Sequence, residues 1–197
     1  MLNEWQKTTI YGCYFREIPS FSDSRGTISK LYGEIQDKGR LPSTISWSET
    51  IQTESRSGVI RGLHVPSSSH KGWKLSSCVS GDVNDVLFDL RNDSPTYLKF
   101  ESRKLTPGKC QVLIAPGVAH AIESISNSVI TYFTELTFKD AREICITPEI
   151  LDLWEILPVN RNISSKDKVG ISDLNNLGMT LSLVSEIRDI VKEVEKI

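Results

Sequence analysis

An arginine and a histidine stand close together in the run VIRGLHVP, residues 59–66, at the rim of what reads as a buried strand. An imidazole titrates near neutral pH and suits general acid–base work, whereas a planar guanidinium grips phosphates or carboxylates through paired hydrogen bonds. In a regular strand Arg61 and His64 face opposite sides, but a bulge or bend at Gly62 turns both toward one cavity. The plainer alternative is a satisfied core histidine beside a surface arginine. Six further polar side chains fall on strand-like segments: Lys74, Asp85, Asp89, Arg91, His120 and Tyr132. Unpaired charges are costly to bury, so a barrel that carries this many needs an open, wet interior. The stretch LIAPGVAHAIE supplies the second imidazole, His120, just after a Pro116-Gly117 turn and so at a barrel mouth. For a metal centre the pattern is poor. His64 and His70 are six residues apart, Pro66 interrupts any strand joining them, and the chain has no His-x-His pair, so no metal or other cofactor is expected.

The elements that must hold these groups are strands. From Trp5 to about Ile156 short runs rich in Val, Ile, Thr, Phe and Tyr alternate with Gly, Pro, Asn, Asp and Ser, a spacing that predicts an antiparallel all-β sandwich or barrel. In VNDVLFDL, residues 83–90, period two puts Asp85 and Asp89 on one face and apolar side chains on the other, so one face is expected to be polar and to line a cavity. After Pro148 the character changes. EILDLWEILPVN reads as a helical turn or loop, and LSLVSEIRDIVKEVEKI repeats apolar residues in steps of three and four, which predicts an amphipathic C-terminal helix. That helix either packs on its own barrel or joins two copies. The expected division is a catalytic domain over residues 1–170 and a helical extension over 171–197.

Bulk properties narrow the function. With 197 residues the chain can bury one sizeable core, and a net charge of −2 offers no basic field for nucleic acid or an anionic membrane. The N-terminal stretch has no cationic start followed by an apolar run, and no segment reaches the length of a membrane span, so a cytoplasmic protein is expected. Cys13, Cys78, Cys110 and Cys145 are scattered without a Cys-x-x-Cys pair, and three of them sit in apolar or strand-like runs, as buried free thiols in a reducing compartment do.

FSDSRGTISK, GVIRGLHV, WKLSSCVSGDVNDVLFDLRNDSPTY, LIAPGVAHAI, ITYFTELTF and ISSKD occur in an order and at a spacing that resemble the nucleotide-sugar 3,5-epimerases of the dTDP-4-dehydrorhamnose 3,5-epimerase type. The resemblance covers roughly residues 11 to 170. It implies a mainly β, cupin-type jelly roll that forms homodimers, uses no metal and acts on a nucleotide-diphosphate sugar. It implies His64 as general base, Asp167 of SSKD as its partner, Lys74 and His120 at the sugar's C4 oxygen, and Tyr132 as the opposing acid. Arg25 and Arg61 match phosphate and sugar contacts, and Phe138 falls where the family keeps an aromatic residue against the base.

The chain also departs from the family's pattern. Where the family has a Gln and an Asn two apart on a ligand-facing strand, this sequence has Glu49 and Ile51, so contacts to the nucleotide or sugar must differ, with Glu49 expected among the substrate-binding residues. Ala121-Ile122 replace Gly-Phe, and Val-Pro follows His64 in place of an aromatic and Gln. The expected activity is epimerisation of a nucleotide-linked 4-keto-6-deoxy sugar at C3, C5 or both, by deprotonation to an enolate and reprotonation from the other face. A 3,4-ketoisomerase on a similar barrel and a non-catalytic cupin that binds a sugar nucleotide are the alternatives.

Overall fold

The computed structural model describes residues 5–32, 45–66, 72–147, 162–168 and 170. The amphipathic tail, the EILDLWEILPVN segment and His70 lie outside the described residues.

Period-two sequences fold into strands with little interruption. In chain order these are β1 (Gln6–Lys7), β2 (Tyr14–Glu17), β3 (Ser20–Asp23), β4 (Gly26–Ser29), β5 (Glu49–Ser55), β6 (Val59–Val65), β7 (Lys74–Ser80), β8 (Val83–Asp89), β9 (Phe100–Leu105), β10 (Cys110–Ile114), β11 (Val118–Ser124) and β12 (Ser128–Thr134). A short helix α1 (Phe138–Ala141), two-residue strands β13 (Ile144–Cys145) and β14 (Asn162–Ile163), and helix α2 (Ser165–Lys168) complete the described elements. One six-stranded sheet runs β1-β2-β10-β7-β12-β5, and a second runs β13-β6-β11-β8-β9 with β14 parallel to β6; β3 and β4 form a separate hairpin. This is the sandwich expected from the spacing of the apolar runs.

The sheets are held face to face by Trp73, Leu75, Cys78, Val83, Leu87, Leu105, Ile114, Ile122 and Ile130, all buried. Each aliphatic or aromatic side chain so buried contributes about 1.5–3 kcal/mol. The second sheet is apolar on its other side as well, where Ile60, Leu63, Val86, Phe88 and Ile146 form a second cluster under Ile144 and Ile163.

That second cluster corrects the reading of residues 83–90, because neither face of β8 is a polar wall. Asp85 and Asp89 share their face with Val83 and Leu87 and are buried with them. Asp89 does not line a cavity. It is locked to Arg91 at 2.7 Å and accepts hydrogen bonds from the Ser94 and Thr96 hydroxyls, closing the turn that leads into β9. Arg91 is consumed in the same knot.

Register decides where the functional side chains point. Between β6 and β11, His120 lies opposite His64 and Ile122 opposite Arg61, so Gly62 and Leu63 together face Ala121 alone. This bulge reverses the regular alternation and puts Arg61 and His64, three residues apart, on one side. Glycine is required there. Gly62 has φ +117, and a Cβ would collide with the His120 carbonyl and Ala121.

Candidate active site

A cavity of about 470 Å³ opens between the two sheets, with Arg61, His64 and His120 on the wall from the sheet that holds β6 and β11. Lys74, Tyr132, Ile51 and Thr53 line the opposite wall, and Phe138, Glu143, Lys166 and Asp167 stand around the mouth. Cross-strand pairing aligns the second wall. Tyr132 lies opposite Ser76 on one side and Ile51 on the other, while Thr134 joins Lys74 to Glu49 in the next row.

His64 is fixed from outside the sandwich. Parallel pairing of β14 with β6 delivers α2 to the edge of β6, and the Ser164 hydroxyl accepts the Asp167 N–H at 3.1 Å to start the helix. Asp167 is buried, and its Oδ1 meets His64 Nε2 at 2.7 Å. A buried carboxylate on one ring nitrogen holds the imidazole in place and fixes its orientation. The other nitrogen, Nδ1, has Glu143 Oε2 at 3.6 Å.

Glu143 stands among three cationic or titratable groups. Its carboxylate lies 3.7 Å from Lys74 Nζ and 3.9 Å from Lys166 Nζ, besides its approach to His64. Burial pushes the Lys74 ammonium below the usual lysine range, while the charges of Glu143 and Asp85 oppose that shift. Lys74 also lies 5.7 Å from the centre of the Tyr132 ring. For Tyr132 the direction is upward, because burial disfavours the phenolate and the negative charge of Asp85 adds to the effect. At neutral pH the site therefore holds a protonated phenol, able to donate.

His120 is buried behind these groups. Its Nε2 meets Asp85 Oδ2 at 2.8 Å, and its ring stands edge-on to Tyr132 with centroids 6.1 Å apart. Arg61 is tethered at the wall, donating to the Ser55 hydroxyl at 2.9 Å and to the Glu54 carbonyl at 3.0 Å. These bonds leave it able to offer remaining N–H groups to an anion.

Two expected binding residues stand elsewhere. Glu49 is not among the cavity-lining residues; its carboxylate accepts the Phe138 N–H at 2.7 Å and so fixes the start of α1, which Thr137 caps. Phe138 itself is at the rim and 68% exposed. Arg25 is at the tip of the β3–β4 hairpin, paired with Asp23 at 2.6 Å, and does not line the cavity of its own chain.

Sequence reasoning missed Glu143 and assigned no part to Lys166. Glu143 follows α1 in an irregular segment, and only the pairing of Cys145 with His64 across β13 and β6 shows that it lies at the site. Lys166 is inside the quoted SSKD motif and could have been read with Asp167. One metal-competent group occurs among the described residues: His64, Cys145 and Asp167 bring one ligand atom each within 4.8 Å of one another.

Comparisons with known proteins agree on one relationship. A family model described as dTDP-4-dehydrorhamnose 3,5-epimerase matches residues 7–173. A curated dTDP-4-dehydrorhamnose 3,5-epimerase from Streptomyces griseus is 28% identical over 176 residues, covering 87% of this chain and 88% of its own. Among solved structures, the enzyme of that name from Elizabethkingia anophelis NUHP1 matches with TM-score 0.75 at 28% identity, over 87% of this chain and 97% of its own. A dTDP-6-deoxy-D-glucose-3,5-epimerase from Legionella pneumophila, in complex with dTDP-4-keto-L-rhamnose, matches with TM-score 0.80 at 26% identity, over 88% and 93%.

Proposed function

The chain belongs to the dTDP-4-dehydrorhamnose 3,5-epimerase family, and from that premise we propose that it epimerises a dTDP-linked 4-keto-6-deoxy sugar at C3, C5 or both. The observation that carries the reading is the placement of His64, bound to Asp167 at 2.7 Å, and the neutral phenol of Tyr132 on opposite walls of one cavity. Inversion at carbon needs a base on one face and an acid on the other.

The residues divide the work as follows. A proton on a carbon beside the C4 ketone is weakly acidic, and His64 removes it through the nitrogen that Asp167 leaves unbound. The C–H electron pair forms the enolate, whose negative charge develops on the C4 oxygen. Lys74 and His120 are the donors that meet that charge. Tyr132 then gives its proton to the carbon from the opposite face, the ketone reforms, and solvent returns a proton to Tyr132 and takes one from His64. No net oxidation or reduction occurs. Arg61 holds the diphosphate or the sugar, and Ile51 supplies an apolar surface on the opposite cavity wall.

Arg25 fits this scheme in a homodimer. The β3–β4 hairpin exposes Phe21 and Ile28 at 63% and 65%, and a second copy would cover them while receiving Arg25 at its own cavity. Mass measurement in solution tests this: a dimer is expected, Phe21→Ser with Ile28→Ser is expected to weaken it, and Arg25→Ala is expected to raise KM. Four free cysteines suit a reducing, cytoplasmic setting. NMR analysis of the products tests the reaction type, since an epimerase leaves the carbonyl at C4 and a ketoisomerase moves it.

A further inference from the structure

We propose that His64, Cys145 and Asp167 form a site for a thiophilic divalent cation, zinc in the first instance, and that a metal bound there switches off the epimerase by taking its base and that base's carboxylate partner as ligands. The inhibitory part rests on the assignment of His64 as base; the binding part does not.

Cys145 and His64 are directly paired residues of β13 and β6, so their side chains emerge side by side. Asp167 comes from α2 on the same edge and already touches the imidazole. One nitrogen, one sulfur and one oxygen thus lie within 4.8 Å of one another. Zinc bonds of about 2.0–2.3 Å set the edges of a tetrahedron at about 3.3–3.8 Å, so small side-chain rotations close the set around an ion. Three protein donors leave the fourth position for water from the cavity, the arrangement of open zinc sites. The donor set is selective. Thiolate and imidazole favour zinc or cobalt over magnesium and calcium, which prefer oxygen alone.

Cys145 also differs from the other thiols of the chain. Cys13, Cys78 and Cys110 are buried, whereas Cys145 is partly exposed. Binding releases a proton to solvent as the S–H becomes a metal-bound thiolate. Nothing in the epimerisation steps uses Cys145.

The test uses the full-length protein freed of metal and titrated with Co2+, whose thiolate complexes absorb in the near ultraviolet. A thiolate-to-cobalt band is expected in the wild type, bleached by Zn2+ and missing from both Cys145→Ser and Cys145→Ala. In parallel, Zn2+ is expected to inhibit the wild-type enzyme while Mg2+ does not. Both variants are expected to retain basal activity, which also reports that they fold, and to need at least about tenfold more Zn2+, since losing even a supporting partner costs about 10–100-fold in metal affinity. No thiolate band in the wild type, or unchanged zinc sensitivity in both variants, overturns the proposal. A cobalt band in a protein without epimerase activity would instead refute the functional reading and leave the metal site standing.

Discussion

His64 and Tyr132 face one cavity from different sheets, the imidazole on β6 of one and the phenol on β12 of the other. Base and acid are thereby assigned to opposite faces of whatever lies between them, and the separation is built into the sandwich itself. The two groups are also electrically distinct. Asp167 holds the His64 ring at 2.7 Å, while burial and Asp85 keep Tyr132 protonated.

Separating the two proton transfers should therefore be possible with one atom. Tyr132→Phe removes the donor and leaves the base in place, so solvent deuterium is expected to enter the substrate with retention, while the inverted product forms about 10²–10⁴-fold more slowly. Proton NMR of recovered substrate and product checks both outcomes.

The alkaline side of the pH profile should report Lys74. Burial lowers its pKa, so the cation that meets the enolate charge is lost at lower pH than an exposed lysine would be. The carboxylate of Glu143 works against that loss by favouring the charged form. Glu143→Gln removes the opposing effect, and the alkaline limb of kcat/KM is expected to move to lower pH. A limb that stays in place would exclude Lys74 as the titrating group.

The bulge at Gly62 is expected to be essential for both stability and activity. Gly62→Ala places a side chain at φ +117 against the His120 carbonyl. A loss of about 3 kcal/mol or more in urea unfolding is expected. The folded fraction is expected to lose about 10²-fold in kcat, because relieving the collision moves His64 relative to Arg61.

Asp89 offers a control remote from the chemistry. Burial acts to raise its pKa, but the hydrogen bonds and charge of Arg91, with the Ser94 and Thr96 hydroxyls, outweigh that and lower it. A carboxylate whose folded pKa is depressed contributes stability above its unfolded value and loses it as pH falls through the folded one. Asp89→Asn leaves the buried Arg91 without its counter-charge and is expected to cost about 3–5 kcal/mol in urea unfolding. Its stability should also depend less on pH below about pH 4, with KM unchanged.

How far the sequence was legible follows the range of the interactions. Strands such as β5 and β12 repeat their apolar and β-branched residues locally, so period two reveals them. His64, Lys74, His120, Tyr132 and Asp167 were legible as a set through separated motifs, and all five stand at the one cavity. Whether Arg61 joins them depended on Gly62, where sequence allowed two geometries and only the β6–β11 register chooses. Asp89 was misread because alternation reports which residues share a face, not whether a neighbouring Arg91 closes over them. Glu49 and Glu143 have roles set by partners 89 residues away in one case and by the β13–β6 pairing in the other, and local pattern carries no trace of either.

Solvent exchange tests His64 as the base most directly. Wild-type protein and His64→Asn are incubated in D2O with a dTDP-linked 4-keto-6-deoxy sugar, and deuterium at C3 and C5 is followed by NMR. Label is expected at one or both carbons with the wild type, in a product that keeps its carbonyl at C4, and a loss of about 10²–10⁴-fold in labelling is expected with His64→Asn. Labelling at the wild-type rate in His64→Asn would contradict the assignment of the base, and a carbonyl moved from C4 would contradict the reaction itself.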